Sequence, residues 1–187
     1  MSPVTKQLRA DAQRNRDRLL DTAARAFATT GPDVPLETIA KDAGVGIGTL
    51  YRHFPTREAL VEAVYRNELA RQCEAGSELL RELPPDAALR AWMDRFVSYM
   101  ATKRGLADAL RAIVGTDGNP FAESRARLLT GLGTLLDAGA AAGTVRGDVA
   151  PEDVLVSLSG LTLVATEPEQ AARLLDLLMD GLRVRER

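Results

Sequence analysis

At 187 residues, with 45% hydrophobic and 27% charged side chains, the chain has the balance of an ordinary globular protein long enough to bury a sizeable core. No apolar run approaches the ~20 residues that span a bilayer, and the polar, basic start lacks the hydrophobic stretch of a secretion signal, so the cytoplasm is the expected compartment and no membrane partner is expected. One His and one Cys, no paired carboxylates in an apolar setting and no phosphate loop exclude an internal disulfide and argue against a metal, a cofactor or an enzyme.

The net charge of −2 conceals a gradient. From Met1 to Arg57 nine Lys or Arg face six Asp or Glu, a balance of +3, whereas the remaining 130 residues carry 15 basic and 20 acidic side chains, a balance of −5. A basic, mobile arm is expected first, able to reach phosphates. A helix then runs from about Gln13 to Thr30, with Leu19, Leu20, Ala23, Ala24 and Phe27 at helical spacing.

The segment LETIAKDAGVGIGTLYRHFPTREAL, Leu36 to Leu60, is the most informative in the chain. Leu36, Ile39, Ala40 and Ala43 fall at i, i+3, i+4 and i+7 and line one face of a short second helix, which Gly44 ends. A third helix runs from about Gly46 to His53 and stops at Pro55, with Ile47, Leu50, Tyr51 and Phe54 as its apolar and aromatic side chains. Gly46 and Gly48 each cost roughly 1 kcal/mol of helix propensity, a cost that makes sense where another surface must approach the backbone closely. Thr49, Tyr51, Arg52 and His53 beside them all donate hydrogen bonds to phosphates or base edges. Thr56 is placed to cap the next helix, and Arg57 with that helix start would form an anion site. Two short helices around a glycine turn, with this ring of donors, read as a DNA-binding helix-turn-helix.

Every later patterned segment is helical. A fourth helix spans Arg57 to about Leu83 and is broken by Pro84 and Pro85; a fifth begins near Asp86 and carries Leu89, Trp92, Met93, Phe96, Val97 and Met100 on one stripe before Gly105. Leu106 to Val114 forms a short sixth helix, followed by a loop. Asn119 and Pro120 open a seventh helix to about Ala142, and the last two run from about Pro151 to Ala165 and from about Pro168 to Val184. These last two carry more apolar residues than one buried face needs: Leu155 and Leu158 beside Val156, Leu163 and Val164, then Leu174 and Leu178 beside Leu177. A second copy of the chain is the simplest cover, and Leu155, Leu158, Leu174 and Leu178 are the predicted seam.

An Ile-Ala pair, an Ala-Gly-Val turn, Gly-Thr-Leu-Tyr, a His-Phe pair and a basic residue opening the next helix together resemble the tetracycline-repressor (TetR) family of bacterial regulators, over about the first 65 residues. The resemblance implies an all-α fold of about nine helices: a helix-turn-helix domain over residues 1–60 and an effector-binding, dimerising helical domain over 61–187. It implies base or near-base contacts from Ile47, Gly48 and Thr49, and phosphate contacts from Tyr51, His53 and Arg57, with Arg52 and Thr56 on the same surface. Pro35 and Gly46 depart from the family pattern, since each stands where a hydroxyl often caps a helix. The expected partners are an operator duplex on the nucleoid, a second copy of the chain, and a small lipophilic effector held near Trp92, Met93, Phe96, Met100 and Phe121. The alternative is an all-helical DNA-binding factor that senses no small molecule and is regulated by a protein partner.

Overall fold

A computed structural model describes residues 3–114, 120–165 and 167–184. Among them the elements are α1 (Pro3–Thr30), α2 (Leu36–Asp42), α3 (Ile47–His53), α4 (Arg57–Glu82), α5 (Pro85–Gly105), α6 (Ala107–Val114), α7 (Pro120–Ala141), α8 (Pro151–Val164) and α9 (Pro168–Leu182). No strand occurs among the described residues. An isolated antiparallel bridge pairs Val145 with Arg183. The fold is all-α, and two compact units divide it: Met1–Glu68 with Thr102–Gly118, and Leu69–Ala101 with Asn119–Arg187.

In the first unit the apolar stripe of α1, Leu19, Leu20, Ala23, Ala24 and Phe27, is buried, as are Ile39 of α2, Leu50 of α3 and Leu60, Val61 and Val64 of α4. α1 begins ten residues earlier than its apolar spacing predicts, where a mobile arm was expected. Periodicity reports an apolar stripe, and the run from Thr5 to Asn15 holds only one large apolar residue, Leu8. It does contain strong helix formers and no Gly or Pro, so the backbone continues as helix.

The turn from α2 to α3 forms as its sequence predicts. Gly44 takes φ +67°, its N–H donates to the Lys41 carbonyl, and the Val45 N–H donates to the Ala40 carbonyl. This paired closure satisfies two of the last carbonyls of α2 and needs a residue at ease in the left-handed region. Both expected cap losses are present, since α2 starts at Pro35 and α3 at Gly46 without a side-chain hydrogen bond.

The end of α5 packs backbone to backbone against α1. A Cβ on Gly105 would lie 2.1 Å from the Phe27 carbonyl oxygen, and neither backbone atom can swing away as a side chain could. Gly105→Ala should therefore cost about 3 kcal/mol, the upper end for overpacking. A fall of about 6 °C or more in the thermal midpoint checks this.

In the second unit α7 packs on α8 and α8 on α9. Gly76 of α4 and Gly131 of α7 mark a close helix crossing, since a Cβ on either would lie 3.0 Å from a carbonyl oxygen of the facing helix. Trp92 is fully buried, and its indole N–H donates to the Gln72 carbonyl at 3.0 Å. The Gln72 side-chain amide donates back to the Trp92 carbonyl at 3.1 Å. Hydrogen bonds from outside hold α9: Arg90 of α5 donates to the Asp176 carboxylate at 3.0 Å and to the Ala172 carbonyl at 3.4 Å, and the Arg146 N–H donates to the Leu182 carbonyl at 2.8 Å.

Candidate nucleic-acid interface

Seven residues of α3 divide cleanly. Leu50 is fully buried and Phe54, just past the helix, nearly so, which anchors the helix to its own unit. Ile47, Gly48, Tyr51 and Arg52 form a continuous exposed face at i, i+1, i+4 and i+5, and Thr49 and His53 are half-buried at its margins. Tyr51 leaves 45% of its surface open, a large exposure for an aromatic residue.

The glycines sharpen this picture. A Cβ placed on Gly46 or on Gly48 would meet nothing within 4 Å, so the chain's own packing demands glycine at neither position. Gly46 is the cap of α3 in extended backbone, while Gly48, inside the helix, costs propensity without serving the interior, which fits a surface shaped for something outside the molecule.

Sequence reasoning missed Arg16. Its guanidinium carbon sits 5.5 Å from the centre of the Phe54 ring, which brings a cation from α1 to the C-terminal end of α3. The signal lay in its spacing, one helical turn before Leu19 and Leu20, at the point where the core-facing side of α1 turns polar.

At the start of α4 the arrangement differs from expectation. Thr56 does cap the helix, its hydroxyl oxygen accepting the Ala59 N–H at 3.1 Å. At the same helix start the Glu58 carboxylate is held below its usual range, first by a backbone N–H and then by the Thr56 hydroxyl. Arg57 points away to the α1–α2 turn, where its Nη1 donates to the Pro32 and Val34 carbonyls at 2.5 and 2.8 Å.

Two other predicted groups are corrected in part. Leu155 and Leu158 are buried within the single chain, because they lie on the side of α8 that its own core covers, and they leave no surface for a seam. The outward residues are Val156, Leu163 and Val164 on α8 and Leu177 on α9, with Leu174 and Leu178 half-buried beside them. Leu163, Val164 and Leu177 are each about two-thirds or more exposed, at 68%, 71% and 67%. Trp92, Met93 and Phe96 are brought together, but as packed core: the Trp92 and Phe96 rings stack 5.6 Å apart, and Tyr99 continues the stack at 5.9 Å. Met100 is half-buried, and the Phe121 side chain lies outside the described residues.

No described helix is long and apolar enough to cross a membrane, and no group of three or more potential metal ligands occurs among the described residues.

Residues 19–64 match the family described as bacterial regulatory proteins, tetR family, and residues 84–184 match the transcriptional regulator SbtR-like C-terminal domain. The fold is similar to that of a TetR transcriptional regulator from Streptomyces coelicolor, with a TM-score of 0.84 and 52% identity over 91% of this chain and 99% of that one. A TetR regulatory protein from Mycobacterium vanbaalenii superimposes with a TM-score of 0.75 and 40% identity, over 95% of this chain and 99% of that one. An HTH-type transcriptional regulator from Staphylococcus aureus is 38% identical over 63 residues, so the match covers 33% of this chain and about a third, 34%, of that relative's length. With both halves matched and the α2–turn–α3 geometry in place, the chain belongs to the TetR family of transcriptional regulators, whose members bind DNA through this helix-turn-helix.

Proposed function

We propose that the protein is a cytoplasmic, nucleoid-bound repressor that grips a palindromic operator as a homodimer and is released by a small lipophilic effector. The observation that carries the DNA half is the exposed face of α3, whose Gly48, like the capping Gly46 before it, serves no internal packing. On this reading α3 lies in the major groove. Ile47, Gly48 and Thr49 meet base edges, while Tyr51, Arg52 and His53, joined by Arg16, hold the flanking phosphates.

The test is a Tyr51→Ala, Arg52→Ala, His53→Ala triple variant on a duplex selected by the wild-type protein. Affinity should fall by about 100-fold or more, and the slope of log K against log salt should shrink by at least about 1 for the lost Arg52 contact. Thr49→Ala should instead change the ranking of bases in the site, by about 1–3 kcal/mol at the position read. Equal operator affinity for the triple variant and the wild type would remove the assignment.

The effector half is supported by family membership, since small-molecule sensing is typical of TetR regulators. A specific observation favours the second reading, a factor controlled by a protein partner: the Trp92–Phe96–Tyr99 stack is filled by its own side chains. Trp92 is the chain's only tryptophan, which makes its emission a clean reporter. A lipophilic effector should shift that emission and weaken operator binding by the same factor by which operator weakens the effector. A broad metabolite panel that changes neither decides for the second reading.

A further inference from the structure

Arg57 makes a contact that operator reading does not require. Its Nη1 carries two hydrogens, and they go to the carbonyl oxygens of Pro32 and Val34, within the turn that joins α1 to α2. This turn has few means of holding itself. Pro32 and Pro35 have no N–H to donate, and Pro35 begins α2 without the side-chain cap that a Ser or Thr would supply. A cation in the first turn of α4 is also unfavourable next to that helix's positive end, unless acceptor oxygens compensate it. The two carbonyls do so through charge-assisted hydrogen bonds, and Val34 itself is buried beside them.

We propose that Arg57 is a positioning residue: it ties the α1–α2 turn to the start of α4 and so sets the angle at which α2 presents α3, in place of the capping hydroxyl that α2 lacks. The inference rests on the reading of α3 as the operator-reading helix. A brace and a phosphate ligand in this position have different signatures. A phosphate ligand strengthens binding to every duplex alike and contributes about one unit of salt slope. A brace acts only where the docking angle matters, so it affects the chosen sequence and leaves the electrostatic term untouched.

The experiment compares wild type, Arg57→Met, and Arg57→Met with Pro35→Ser, the methionine keeping the aliphatic stem without donors or charge. Each is measured on a duplex selected by the wild type and on a scrambled duplex of equal length, across roughly 50 to 200 mM salt. Backbone hydrogen exchange is followed in the free proteins. Arg57→Met should bind the selected duplex about 10- to 100-fold more weakly, with scrambled-duplex affinity and salt slope unchanged. Exchange at Thr38 and Ile39, whose N–H groups donate to the Pro35 carbonyl, should quicken, and the added serine should restore part of the lost affinity without altering the slope. Equal weakening on both duplexes, a slope smaller by about 1 and unchanged exchange would make Arg57 a phosphate ligand and overturn the proposal. Unchanged affinity with unchanged exchange would overturn it as well. The exchange measurement needs no DNA, so a wild type that selects no sequence refutes the operator reading and leaves the brace to be judged on exchange alone, faster supporting it and unchanged overturning it.

Discussion

Replacing Leu163 and Leu177 together by Glu should leave a folded monomer that has lost its operator. Both side chains are about two-thirds exposed in the protomer, at 68% and 67%, so the charges are solvated in the single chain and its stability should change by no more than about 0.5 kcal/mol per site. In a two-fold dimer built on α8 and α9 the same substitutions place four carboxylates in the seam, each costing several kcal/mol if left unpaired. Val156, Leu163 and Val164 are the exposed large apolar residues of α8, and Leu177 is that of α9, the helix packed against it. Monomeric half-site binding forfeits the gain from linking two reading heads, about 100-fold or more in operator affinity. Sedimentation shows the mass, and titration of the selected duplex shows the loss. Leu158→Glu is the informative contrast: Leu158 is fully buried in the protomer, and that variant should fail to fold at all. A Leu163→Glu, Leu177→Glu protein that sediments as a dimer would place the seam elsewhere.

Trp92→Ala should be the most damaging single core substitution. Truncating a fully buried indole costs about 3–5 kcal/mol, and here it also leaves the Gln72 carbonyl without the donor it has at 3.0 Å, a further loss of about 1–3 kcal/mol. Against a total stability of about 5–15 kcal/mol for a typical domain, the variant should be marginal, with its thermal midpoint lower by about 10 °C or more. The same measurement separates core from cavity. A cost below about 1.5 kcal/mol would mean that the indole lines open space and that the effector site lies there after all.

The parts of the fold that the sequence announces are those in which a residue type has a single structural use. Gly44 after a four-residue apolar register could only be a helix stop, and Pro55 after the aromatic run of α3 could only be another. The exposed face of α3 was legible from Ile47, Gly48, Tyr51 and Arg52, because Leu50 and Phe54 take the apolar positions that its own unit buries. The first ten residues of α1 were misread as an arm because a mostly polar sequence leaves no apolar period to detect. On α8 the spacing revealed surplus apolar residues, yet which stripe faces inward depends on helices far along the chain. Leu155 and Leu158 were therefore assigned to the seam, and Val156 and Leu163 counted as mere surplus. The exchange of hydrogen bonds between Gln72 and Trp92, and the carbonyls that Arg57 holds, involve backbone atoms, which every residue carries and no sequence pattern marks.

The central claim is that α3 reads a specific duplex from a two-fold dimer, and selection from a pool of random double-stranded DNA tests it most directly. The wild-type protein should enrich an inverted repeat whose half-site centres lie about 34 Å apart or a little more along the duplex, and Thr49→Ala should enrich a repeat altered at the same position in each half. Enrichment of no sequence, or of one without two-fold symmetry, would contradict the account.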